Sequence, residues 1–81
     1  MPYFVYILRN PEGRFYIGQS SNLALRLERH NGGDVTWTKS RGPWELAYSE
    51  EYATRQEAMA REKALKGLKS KTALRRLIAQ R

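Results

Sequence analysis

From Tyr3 to Gly18 the chain is rich in aromatic and β-branched residues on both sides of a polar join, Asn10-Pro11-Glu12-Gly13, which is the pattern of a hairpin. Asn suits the first corner of a type I turn and Pro the second, and a closing Gly can take the left-handed conformation that completes a three-residue loop with a bulge. Such a loop sets Asn10 opposite Arg14, Leu8 opposite Tyr16 and Tyr6 opposite Gly18. Side chains alternate along a strand, so Tyr6, Leu8, Tyr16 and Gly18 are expected on one face: two phenols beside a residue with no side chain. A different loop length would shift the register and separate them.

The spacing then becomes helical. Ser20-Ser21-Asn22 offers N-caps, good helix formers run from Leu23 to Asn31, and Gly32-Gly33 ends the run. One stripe holds Leu23, Arg26, Leu27 and His30, so two of its four positions carry polar groups that either reach water at the edge of the sheet or are presented to something. A Gly-flanked polar loop follows with Trp37, Lys39 and Arg41, where the Trp either stacks on a base or folds down over the core. From Trp44 to Tyr52 the pattern alternates again, Trp44, Leu46 and Tyr48 against Glu45, Ala47 and Ser49, and predicts a third strand.

Thr54-Arg55-Gln56-Glu57 reads as a capping box, opening a helix to about Lys66 that Gly67 stops. Its stripe, Ala58, Glu62 and Leu65, gives a core position to an acid; Glu62 either pairs with Lys66 one turn on or has a task of its own. Ser70 caps a last helix with Leu74, Leu77 and Ile78 on the packing face and Lys71, Arg75 and Arg76 on the wet one. The order β-β-α-β-α-α predicts an α+β fold, a three-stranded antiparallel sheet flanked by three helices, in one domain spanning residues 1–81.

Composition narrows the chemistry. Fifteen Lys and Arg against eight Asp and Glu give a net charge of +7, and no acid follows Glu62. Lys63, Lys66, Lys69, Lys71, Arg75, Arg76 and Arg81 make the C-terminal end one-signed, the electrostatic footprint of a polyanion binder. The absence of cysteine excludes disulfides and thiolate metal sites. No apolar run approaches the roughly 18 residues of a membrane span and no signal-peptide pattern opens the chain, so a cytoplasmic protein is expected.

Val5-Tyr6, Tyr16-Ile17-Gly18 ten residues on, Asn22-Leu23 leading to Arg26 and His30, and Glu62 with Leu65-Lys66 behind it form an ordered set. This set resembles the GIY-YIG nuclease domain, in its small stand-alone bacterial branch, over nearly the whole chain. Two departures stand out: Phe4 occupies the place of the glycine that opens the family's first motif, and no Asn follows Asn31. The resemblance implies a divalent-metal-dependent endonuclease of DNA, structure-guided or weakly sequence-selective, working in DNA repair or recombination, with RNA a further substrate to test. It implies one Mg²⁺ or Mn²⁺ held by Glu62, which is chemically reasonable because Mg²⁺ keeps several waters and needs few carboxylates.

The same resemblance implies that Arg26 forks onto phosphate oxygens, that Tyr6 or Tyr16 activates water, with Tyr6 preferred and His30 as its hydrogen-bond partner, and that Gly18 lets a phosphate approach the sheet. A nearby guanidinium and metal are expected to lower the phenol's pKa. Trp37, Lys39, Arg41, Lys63, Lys66, Lys69, Lys71, Arg75 and Arg76 would then contact nucleic acid. The alternative is a non-catalytic nucleic-acid-binding module on the same scaffold; any specificity would come from structure in the substrate or from a protein partner, or be absent.

Overall fold

The computed structural model describes residues 2–33, 42–68 and 70–80. Tyr3–Arg9 (β1) and Phe15–Ser20 (β2) form the hairpin. The Gly13 amide donates to the Asn10 carbonyl, the Asn10 amide to the Arg14 carbonyl, and the Arg14 amide to Asn10 Oδ1 at 2.8 Å, so the Asn side chain completes the turn. Gly13 takes φ 81°, the left-handed conformation that such a loop needs at its last residue. The register follows: Leu8 lies opposite Tyr16 and Tyr6 opposite Gly18.

Asn22 caps the helix Leu23–Asn31 (α1) by accepting from the Leu25 amide, and Gly33, at φ 84°, closes its far end. The Asn31 side chain then ties this helix to the sheet, accepting from the Trp44 amide at 2.6 Å and donating to its carbonyl at 3.0 Å.

Glu45–Tyr52 (β3) pairs antiparallel with β1, giving the sheet order β2-β1-β3. The strand does not keep the simple alternation that its sequence predicts. Ile7 lies opposite Tyr48 but Leu8 lies opposite Leu46, so Ala47 is an inserted residue, a bulge that reverses the side-chain parity of the strand. Trp44 is buried against Tyr6 and Leu8 on one face, whereas Tyr48 goes to the other and Leu46 stays 37% exposed.

Arg55–Gly67 (α2) starts at Thr54, whose hydroxyl accepts from the Glu57 amide. The other half of the capping box differs from expectation: the Glu57 carboxylate accepts from the Thr54 hydroxyl rather than from its backbone amide. Gly67 is the last helical residue, not a left-handed stop, and the cap is Leu68 at φ −62°. Lys71–Ala79 (α3) is capped by Ser70.

Helices cover both faces of the sheet. Tyr6, Leu8 and Trp44 pack with Tyr16, Leu23 and Leu27 on the α1 side. Val5, Ala58 and Leu65 pack with Tyr3, Ile17, Tyr52 and Leu77 on the side of α2 and α3. Burying each Leu or Val of these layers contributes about 1.5–3 kcal/mol, and the two layers together leave β2 as an edge strand between α1 and α2.

Candidate active site

Tyr6 lies in the middle strand and is only 1% exposed, yet its phenol has a polar surrounding. It runs across β2 at Gly18: a Cβ there would lie 2.5 Å from the Tyr6 hydroxyl oxygen and 2.7 Å from its Cζ. The room left by Gly18 is thus filled by a phenol, not held open for a phosphate as the sequence suggested. Tyr16 stands beside it, with ring centroids 6.3 Å apart, and the buried His30 at the end of α1 meets the edge of Tyr16 at 4.5 Å. The expected bond between Tyr6 Oη and His30 Nε2 is present at 3.0 Å.

The Arg26 guanidinium, one turn before His30, acts on the Tyr6 phenol and favours its ionised form. Burial and then the Arg26 charge push the His30 pKa below 6.5, so the ring is neutral at pH 7 and is able to take a proton from the phenol. The phenol itself is raised above 10, since burial outweighs the hydrogen bond from Arg26, with Tyr16 and the Glu62 charge adding to the rise. Arg26 does act to lower it, as expected, but withdrawal of the hydroxyl from water outweighs that effect. Arg26 Nε is buried with no hydrogen-bond partner among the described residues, a donor left over on the α1 side of the site.

Glu62 reaches the site from the other face. Its charge acts on the Tyr6 phenol, and its side chain, 21% exposed, lines a cavity of about 360 Å³ with Gln19, Met59, Lys63 and Lys66 along the edge of β2. Lys66 Nζ lies 2.7 Å from Glu62 Oε2, so the pairing with Lys66 does form. That ammonium shows the carboxylate to be aimed where a cation can meet it, and a single hard oxygen donor suits an ion that keeps much of its water. No group of three or more His, Cys, Asp or Glu that could hold a metal occurs among the described residues. Lys66 also lines the adjoining cavity with Phe15, Tyr16, Ile17 and Leu74, so the two form one trough along β2.

Two phenols, a neutral imidazole and a guanidinium thus cluster on the α1 face of the hairpin, and the Glu62 carboxylate stands at the β2 edge on the other face. Residues 2–76 match the family model of the GIY-YIG catalytic domain. The chain belongs to the GIY-YIG family. It is 40% identical over 65 residues to a UPF0213 protein of Staphylococcus aureus strain Mu3 and to its counterpart in strain N315, spanning 79% of this chain and 79% of each of theirs. It is also similar to the solution NMR structure of a UPF0213 protein from Bacillus halodurans, with a TM-score of 0.64 and 29% identity over 100% of this chain and 86% of that one.

GIY-YIG domains are nucleases of nucleic acid, generally dependent on a divalent metal ion. In this GIY-YIG domain Lys63, Lys66, Lys71, Arg75 and Arg76 are exposed on α2 and α3. Trp37, Lys39, Arg41 and Lys69 lie outside the described residues. Among the described residues no helix is long and apolar enough to cross a membrane. Sequence reasoning missed one polar cluster altogether, Glu50 with Tyr48, Tyr52 and Arg61 between β3 and α2. Its signal was hidden because the bulge at Ala47 moves Tyr48 off the face that alternation assigned to it.

Proposed function

We propose that this domain is a divalent-metal-dependent endonuclease that hydrolyses DNA phosphodiester bonds with structure-guided or weak sequence selectivity, in DNA repair or recombination. The observation that carries the reading is the Tyr6–His30 hydrogen bond, made to a neutral imidazole and under the Arg26 charge, with the Glu62 carboxylate across the β2 edge. As an attacking water gives up its proton to Tyr6 Oη, Tyr6 passes its own to His30 Nε2, so no free phenolate is required and the raised pKa of the phenol is no obstacle. Tyr16, half-buried at the open side of this pair, orients the water.

Arg26 holds a phosphate oxygen through its remaining donor and stabilises the charge that grows at phosphorus, a role that a point-charged lysine would fill less well. Glu62 holds the ion, Mg²⁺ or Mn²⁺. When bound, the ion supplies Lewis-acid stabilisation of the phosphoryl and leaving oxygens. Lys66, which pairs with Glu62, and Lys63 beside it would meet the DNA backbone in the trough.

Incubation of the protein with flap, forked, nicked and plain duplex DNA, and with RNA, in Mg²⁺ or Mn²⁺ tests this. Glu62→Gln is expected to abolish cleavage while leaving DNA binding within about twofold, because only the ion is lost. A wild-type protein that binds every substrate and cuts none would instead be a nucleic-acid-binding module.

A further inference from the structure

Helix α2 buries only Ala58 and Leu65, and one small and one medium apolar side chain set the roll of a helix loosely. A second tie joins it to the sheet. Glu50 of β3 accepts from both ends of the Arg61 fork, Nε to Oε1 at 2.9 Å and Nη2 to Oε2 at 3.1 Å. The Tyr52 phenol donates to Oε1 at 2.7 Å and the Tyr48 phenol to Oε2. Four donors thus occupy one carboxylate. Burial pushes Glu50 up, but the hydrogen bonds from Arg61, Tyr48 and Tyr52 outweigh it and hold the group below the ordinary carboxylate range. Both phenols are raised, by burial first and Glu50 next, and stay protonated as donors.

A bidentate fork fixes a plane and a direction, which a single point charge does not. Arg61 immediately precedes Glu62, and a helix turns about 100° per residue. The helix lies over a sheet whose order is β2-β1-β3, so a residue hooked to β3 aims the next one towards β2. Glu62 is found there, beside Gln19 of β2. We infer that Glu50 and Arg61 are positioning residues for the site: their fork sets the roll of α2 that holds the Glu62 carboxylate at the β2 edge. The kinetic consequence rests on the proposed role of Glu62; the geometric one does not.

Arg61→Lys keeps the charge and loses the fork, and Glu50→Gln keeps the shape and loses the charge. Thr54→Ala serves as the control, since it removes the N-cap of the same helix and leaves the fork intact. Three quantities are measured well below each variant's melting temperature: Mn²⁺ binding without DNA by electron paramagnetic resonance, cleavage kinetics, and the ¹³C shift of the Glu62 carboxyl carbon with no metal present. Arg61→Lys is expected to weaken Mn²⁺ binding about tenfold and lower kcat about tenfold with little change in KM, as loss of groups that orient a metal ligand does. The Glu62 carboxyl signal moves in the same variant, Glu50→Gln follows in the same direction, and Thr54→Ala changes none of the three.

A Glu62 signal unmoved in both fork variants, or moved as much by Thr54→Ala, overturns the inference. A wild-type protein that neither binds Mn²⁺ nor cuts, but whose Glu62 signal responds to the fork and not to the cap, overturns the nuclease reading and upholds the positioning.

Discussion

A methyl group on residue 18 would lie 2.5 Å from the Tyr6 hydroxyl oxygen and 3.2 Å from Tyr16 Cε1, and Tyr6 is too deeply buried to step aside. Gly18→Ala is therefore expected to destabilise the domain by about 1–3 kcal/mol through overpacking, which urea titration will show. In a Tyr6→Leu background, where the far end of the ring is gone, the same substitution should cost far less; equal costs in the two backgrounds would place the strain elsewhere. His30 gives a second handle. Its pKa is lowered below 6.5 in the folded chain, so as pH falls through 6.5 the unfolded chain takes up the proton first and the fold loses stability, until the folded-state value is passed. Protonated His30 cannot accept from Tyr6, and the acid limb of kcat is expected below the ordinary histidine value. His30→Gln should flatten the dependence of melting temperature on pH across that window, relative to the parent.

Two helices carry different parts of the proposed site. α1 presents Arg26 and His30 on one face of the sheet and α2 presents Glu62 from the other, with Gly18 thinning the strand between them. What could be read from sequence follows from how local each determinant is. The hairpin register was legible because Asn10, Pro11 and Gly13 carry their own turn chemistry within four residues. The Thr54 and Ser70 caps were legible for the same reason. The parity of β3 was not, because the bulge at Ala47 exists only in the pairing with β1 and leaves no mark on β3's own alternation. Gly67 misled in the opposite way: glycine permits a left-handed stop without demanding one, and the chain continues one residue further in helical geometry. The stripe Ala58, Glu62, Leu65 singled out Glu62, which pairs with Lys66 in the structure, but helical periodicity gave no hint that Arg61 beside it was spoken for by Glu50.

Over the whole molecule the charge is segregated from the proton chemistry. Lys63, Lys66, Lys71, Arg75 and Arg76 are exposed along the helices that flank the trough, while the Tyr6–His30 pair is sunk in the core on the far side of β2. A polyanion drawn to this flank releases about 0.9 counterion for every phosphate neutralised on duplex DNA, so the logarithm of affinity falls linearly with the logarithm of salt. Replacing Lys71, Arg75 and Arg76 together by Ala removes up to three such contacts at a distance from Glu62, and the slope is expected to become shallower by about 2–3. Affinity should fall by a similar proportion for every sequence tested, since phosphate contacts position a protein without reading bases. The same triple variant should raise KM more than it lowers kcat, because the groups that move the proton are untouched. Fluorescence anisotropy with labelled duplex at several salt concentrations measures the slope. If it is unchanged, DNA does not lie along α3.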